Sequence, residues 1–249
     1  MYQFFIEDEN AAEDFVTIEG SDVNHIKNVL RMKPGEKIRV CTRSGQNYFC
    51  SISDVAESFV RADILEKEAE STELPCRIYL FQGLPKNDKM EWIIQKTVEL
   101  GVYEVIPVAM KNCVVKLDDK KAKSKVTRWQ AIAESAAKQS KRSLIPEVKM
   151  PMSYKEAVEY AKELDVKLVP YENEHGMAGT KAAMEQIKKG ESIAVFIGPE
   201  GGFAPEEIAL VQDEMQLISL GKRILRTETA GIAALAILGY QLESSDMIE

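Results

Sequence analysis

The chain has 249 residues, of which 45% are hydrophobic and 29% charged, and its formal net charge is −8 at pH 7. That is enough apolar material for the core of one large domain or two modest ones. No apolar run reaches the roughly 20 residues that cross a bilayer, the acidic start MYQFFIEDEN does not read as a signal peptide, and 4 cysteines and 2 histidines lie too far apart for a metal site or a disulfide framework, which points to a reducing, cytoplasmic setting.

Residues 1–70 read as β-rich. Strands are predicted over Tyr2–Ile6 and Phe15–Ile18, and Ser21-Asp22 opens a helical stretch, Val23–Leu30. Lys33-Pro34-Gly35-Glu36 is a turn before the strand Lys37–Cys41, and Arg43–Gln46 is a second turn. Phe49–Val55 and Phe59–Leu65 complete a meander, the pattern of a small β-barrel. Glu66–Glu73 (EKEAESTE) is polar, lacks apolar periodicity and reads as a linker.

From residue 74 to 249 strands alternate with helices. Strands are predicted over Ile78–Gln82, Val105–Val108, Val166–Pro170, Glu191–Ile197 and Gln216–Leu220. Helices are predicted over Met90–Leu100, Lys121–Lys141, Tyr154–Leu164, Ala178–Lys189, from Pro205, and over Thr229–Leu242. This alternation predicts an α/β domain with a mainly parallel sheet covered on both faces.

Charge is unevenly spread. Residues 1–72 carry 8 basic and 14 acidic side chains, whereas residues 111–142 carry 10 basic and 3 acidic ones. Such a local basic segment reads either as a phosphate-facing surface or as a solvated lysine-rich helix face.

In parallel sheets ligands gather at the C-terminal strand ends. Three loops fall there: Val169–Glu172, IGPEGGF (197–203) and LGKRILRTETA (220–230). IGPEGGF lacks the Gly-Lys-Ser/Thr of a phosphate loop and the spacing of a dinucleotide fingerprint, and the chain has no Gly-x-Ser-x-Gly elbow. His25 and His175 stand alone and read as structural or solvated rather than catalytic. The third loop places Ile224 and Leu225 beside Arg223, Arg226, Glu228 and Thr229. That mixture is either a self-paired Arg–Glu clamp or a cofactor pocket with a substrate-facing arginine.

Four stretches, GLPKNDKMEWIIQKTVELGV (83–102), AKQSKRSLIPEV (137–148), IGPEGGF (197–203) and LGKRILRTETAGIAAL (220–235), together resemble the RsmE-type 16S ribosomal RNA methyltransferases. HIKNVLRMKPGEKIRV (25–40) is similar to that family's N-terminal module. The resemblance implies a PUA-like, RNA-binding β-barrel over residues 1–70 and a SPOUT methyltransferase domain with a trefoil knot over residues 74–249. It implies S-adenosyl-L-methionine as cofactor, N3 of a uridine in 16S rRNA of the small ribosomal subunit as acceptor, a homodimer with the last helix in contact, and no metal.

By the same resemblance Val169, Tyr171, Gly198, Glu200, Gly201, Gly202, Leu220, Gly221, Ile224, Leu225 and Thr229 face the cofactor, with Glu200 either a contact or a loop strut. Arg31, Lys86, Lys116, Arg128, Lys138, Arg142 and Arg223 are the RNA-contact candidates. Attack by a ring nitrogen needs in-line positioning and loss of the N3 proton. Arg226 is assigned to the charge developing on the uracil oxygens. Glu228 either accepts the proton or orients Arg226, and the orienting role is preferred.

Three places depart from the family's pattern: Gln3 where Arg is common, Lys111-Asn112-Cys113 in place of an Arg-Ser type of stretch, and Lys138 where Glu is expected. All three are expected in the RNA-facing half, away from the cofactor motifs. Two alternatives remain at this stage: a SPOUT methyltransferase acting on another RNA, and an inactive RNA-binding assembly factor that kept the fold.

Overall fold

The computed structural model describes residues 1–68, 71–174 and 176–245. The chain divides into two compact units, one of residues 1–73 with 137–145, the other of residues 74–136 with 146–249. His175 and part of the expected 66–73 linker (Ala69 and Glu70) lie outside the described residues.

The first unit is built on strands β1 (Tyr2–Ile6), β2 (Phe15–Glu19), β3 (Lys37–Thr42), β4 (Asn47–Val55) and β5 (Phe59–Glu68), with the short helix α1 (Ser21–Asn24) after β2. Alternation sends Phe4, Ile18, Ile38 and Ile52 inward, where each is at most 2% exposed. Sheet order is β1-β3-β4-β5-β2, and the edge strands β1 and β2 contact each other, closing the sheet on itself.

Three details differ from the sequence reading. The expected meander holds for β3-β4-β5, but β1 pairs parallel to β3. Glu66–Glu68, read as linker, continues β5, because β4 extends to Asn47 and gives these polar residues a partner strand. The helix expected over 23–30 widens after Asn24: Leu30 N–H reaches back five residues to His25 O at 2.9 Å, and Arg31 ends it with φ 54°.

A return of the chain completes this unit. Arg39, 7% exposed, is bound by Glu68 at 2.6 Å and by the Lys141 carbonyl at 2.7 Å. Gln3 donates to the Arg142 carbonyl at 2.6 Å, Asn47 to Ser143 Oγ at 2.7 Å, and Cys41 Sγ to the Ser143 carbonyl at 2.8 Å. Burial also pushes the Cys41 thiol up to about 12, so it serves as a neutral packing group.

In the second unit β6 (Arg77–Gly83), α2 (Lys89–Glu99), β7 (Val102–Ala109), α3 (Asp119–Ser140), β8 (Glu147–Val148), β9 (Met152–Ser153), α4 (Tyr154–Ala161), β10 (Val166–Pro170), α5 (Ala178–Glu185), β11 (Ser192–Ile197), α6 (Pro205–Val211), β12 (Gln216–Ile218) and α7 (Thr227–Ser245) follow in order. The last residues of α3, from Ala137, count with the first unit. Strand order is β12-β10-β11-β6-β7-β8, all parallel, with β9 beside β7. The two-residue strands β8 and β9 carry too little pattern to be seen in sequence.

Period-two alternation divides the sheet's faces. Tyr79 and Phe81 of β6 join Phe196 of β11 under α4 and α6, with Phe81 and Phe196 stacked at 4.3 Å. Helix α7 packs on β6, β11 and α2, the side toward which Gln82 points. Helix α4 is capped by Ser153, whose hydroxyl accepts from Glu156 N–H while the Glu156 carboxylate accepts from Ser153 N–H. Among the described residues no helix is long and apolar enough to cross a membrane.

Candidate active site

The loops after β10, β11 and β12 line one cavity of about 620 Å³. The chain leaves β6 toward β7 on one side and β11 toward β12 on the other, a reversal of strand order of the kind that opens ligand crevices in parallel sheets.

The glycines of the 197–203 loop are needed for close approach. Gly202 has φ 68°, and a Cβ there would lie 3.4 Å from Glu172 Oε1. A Cβ on Gly83, at the end of β6, would lie 2.7 Å from the Pro199 backbone nitrogen. Backbone cannot swing aside as a side chain does, so β6 and this loop require a bare α-carbon. Asn112, in the loop after β7, donates to the carbonyls of Gly201 and Gly202 at 3.1 and 3.2 Å. The Lys111-Asn112-Cys113 departure therefore touches the glycine loop itself, a correction to its expected place away from the cofactor motifs. Gln3 and Lys138, the other two departures, hold the Arg142 carbonyl and Asp22.

Thr227 fastens the third loop. Its hydroxyl accepts from Gln82 Nε2 at 2.9 Å and donates to the Gly198 carbonyl at 2.7 Å. Sequence reasoning passed over both residues: a buried Gln in a strand and a Thr between charged neighbours carry no motif signal.

Lys89, in the first turn of α2, also borders the cavity. Its Nζ lies 3.0 Å from Glu200 Oε1 and 3.1 Å from Glu228 Oε2. Glu200 accepts from the Lys86 N–H as well, at 3.1 Å. Partial burial raises the Glu200 carboxyl's pKa, but Lys89 and the Lys86 amide outweigh it and hold it below the usual value, while Glu200 raises that of Lys89. Glu228 Oε2 is within reach of the ammonium yet lacks an aligned hydrogen bond.

Of the expected cofactor residues, Tyr171, Gly198, Glu200, Gly202, Leu220, Gly221, Ile224 and Leu225 line the cavity, as do Arg223 and Arg226. Val169 does not: it is fully buried in the core beneath. Gly201 backs onto Asn112, and Thr229 is exposed on α7, outside the lining. Arg226 is exposed and, among the described residues, makes no ion pair with Glu228, whose partner is Lys89. The Arg226–Glu228 pairing expected from sequence is thus replaced, because Lys89 projects between Glu228 and Glu200.

The RNA candidates separate by environment. Arg31, Lys86 and Lys116 are exposed. Arg128 pairs with Glu91, and Lys138 pairs with Asp22. Arg142 is 3% exposed and is held by Glu73, so a phosphate would reach it only by displacing that carboxylate. Its assignment as an RNA contact is corrected to a buried tie of the first unit.

Chemically, the cavity offers an apolar wall from Phe203, Leu220, Ile224 and Leu225, backbone groups at the glycines, and charge from Glu172, Glu174, Lys222, Arg223 and Arg226. That suits a ligand with one flat apolar part and one zwitterionic part.

Comparison with known proteins agrees with this geometry. Residues 72–239 match the RNA methyltransferase domain family, and residues 18–65 match the RNA methyltransferase PUA domain. The chain is 39% identical to the ribosomal RNA small subunit methyltransferase E of Bacillus subtilis over 98% of both chains. It is similar to the crystal structure of a ribosomal RNA small subunit methyltransferase E from Neisseria gonorrhoeae bound to S-adenosyl methionine (TM-score 0.84, 32% identity, covering 96% of this chain and 97% of that one). A Legionella pneumophila methyltransferase structure with the same bound cofactor gives a TM-score of 0.83 at 30% identity, covering 96% and 97% of the two chains. The chain belongs to the RNA methyltransferase family, in its ribosomal RNA small subunit methyltransferase E group.

Proposed function

We propose that this protein methylates N3 of a uridine in 16S rRNA of the small ribosomal subunit, with S-adenosylmethionine as donor. The observation that carries the reading is the single cavity formed by the 170–174, 197–203 and 219–227 segments, with a guanidinium, Arg226, on its wall. Its residues fit the cofactor. About 620 Å³ is within the size range of small-molecule sites, and bare glycine backbone lies beside the Glu172 carboxylate, where a side chain would crowd a ligand. When bound, the cofactor supplies an electrophilic methyl group on a positively charged sulfur.

In this reading Ile224 and Leu225 flank the adenine, Gly198, Gly202 and Gly221 present backbone groups, and Glu172 or Glu174 faces the cofactor's positive charge. Arg226 stabilises the anionic uracil oxygens as N3 loses its proton. Residues 1–73 with the returning 137–145 segment form the RNA-binding module, and residues 74–136 with 146–249 the transferase. Exposed cations on residues 111–128, Lys120 and Lys123 among them, track the RNA backbone. The tie of Thr227 between Gln82 and Gly198 is compatible with the trefoil threading, and the protein works as a homodimer in the cytoplasm.

The test is incubation with unmodified small subunits and radiolabelled S-adenosylmethionine, followed by mapping of the methylated base. Label at uridine N3 in 16S rRNA supports the reading. Label at another base or in transfer RNA overturns the acceptor, and no incorporation with retained RNA binding favours an assembly factor.

A further inference from the structure

We propose that Lys89 is a positioning residue for methyl transfer: by bridging Glu200 and Glu228 it locks the glycine loop to the first turn of α7 and keeps Glu228 off Arg226. The inference rests on the proposed role of Arg226.

Three elements converge on the one ammonium. Lys89 comes from α2, Glu200 from the loop after β11 and Glu228 from α7, at distances of 3.0 and 3.1 Å. All three side chains are partly buried, with relative exposures of 28%, 25% and 18%. Water therefore screens the pairs less than it would at an open surface. Glu200 is further fixed by the Lys86 N–H. Among the described residues Glu228 has no such second anchor: its Oε2 is buried and is reached there only by Lys89.

Arg226 stands two residues before Glu228, exposed on the cavity wall. Without Lys89, two carboxylates would share a site with no cation between them, and Arg226 is the nearest guanidinium along the chain. Glu228 would then turn to Arg226 and form the self-paired clamp. A guanidinium held that way is lost to the substrate.

The experiment uses the full chain. K89M, K89R, E228Q and the double variant K89M/E228Q are compared for single-turnover methylation of unmodified small subunits, S-adenosylmethionine affinity by calorimetry, and crystal structure. The expected result is a single-turnover rate for K89M lower by roughly tenfold or more. K89R stays within a few-fold of wild type, and K89M/E228Q recovers most of the loss, because the carboxylate two residues from Arg226 is no longer charged. The K89M structure shows Glu228 within ion-pair distance of Arg226.

An active wild type with a K89M/E228Q variant no faster than K89M, or a K89M structure with Arg226 still unpaired, overturns the role of Lys89 alone. A wild type that binds cofactor but never methylates small subunits overturns the functional reading instead. Should K89M unfold, K89Q takes its place, and its crystal structure decides the question: Glu228 paired with Arg226 supports the role of Lys89 and an unpaired Arg226 overturns it, a readout that a merely structural role would not move.

Discussion

The Gln82 amide donates to the Thr227 hydroxyl at 2.9 Å, joining residues 145 positions apart, and that hydroxyl in turn donates to Gly198. One methyl-sized change therefore tests how the cavity is held. Thr227→Val leaves one N–H of the buried Gln82 amide, whose other bond goes to the Gly83 carbonyl, and the Gly198 carbonyl without the hydroxyl, at a cost of about 1–3 kcal/mol. Thr227→Ser keeps the hydroxyl and stays close to wild type. Denaturant melts check the stability, and calorimetry checks an accompanying loss of cofactor affinity in the Val variant only.

Gly83→Ala places a methyl 2.7 Å from the backbone of Pro199. The loop must move away from β6, so cofactor affinity falls by about tenfold or more, together with a loss of stability on the order of 1–3 kcal/mol. Gly239→Ala, on α7, meets nothing within 4 Å and is the control. Being helical, it gains stability by up to about 1 kcal/mol in thermal melts.

The Lys89–Glu200 pair sets a pH window. The Glu200 pKa is depressed below 4.5, so its contribution is full above that value and is lost as pH falls through the folded pKa. The Lys89 pKa is raised above 10.5, so its contribution is full below that value and is lost as pH rises through the folded pKa. The difference in melting temperature between wild type and K89M is therefore flat across neutral pH and shrinks at both extremes. A difference that changes between pH 6 and 9 contradicts the assignment.

Basic residues of the 111–142 segment separate by burial. Arg142→Ala breaks a buried pair with Glu73 and destabilises by about 3 kcal/mol or more. Lys120→Ala with Lys123→Ala removes exposed cations, leaves the melting temperature unchanged, and lowers the salt slope of RNA binding by about 1.5. Melting curves and filter-binding titrations distinguish the two classes.

The first unit needs the returning 137–145 segment, which supplies bonds to Gln3, Arg39, Cys41 and Asn47. A 1–73 fragment lacks these partners and gives a non-cooperative melt. Joining 137–145 to it through a flexible linker restores a cooperative transition in circular dichroism.

The order of the longer elements was legible in the sequence alone, since alternation in Ile78–Gln82 and Val166–Pro170 and helical spacing in Met90–Leu100 depend on local periodicity. The sequence also determined which loops carry the site, because the glycines of IGPEGGF and the mixed loop LGKRILRTETA are informative wherever they fold. Pairing between distant residues was decided only by tertiary structure. Glu228 and Arg226 are sequence neighbours and read as partners, yet Lys89 takes the carboxylate because α2 and α7 pack together. Arg142 reads as one more exposed cation of a basic run, yet it is enclosed where the chain returns to the first unit. Charge and hydropathy report what a side chain can do, while its partner is fixed by which segments, distant along the chain, are brought within a few ångströms of it.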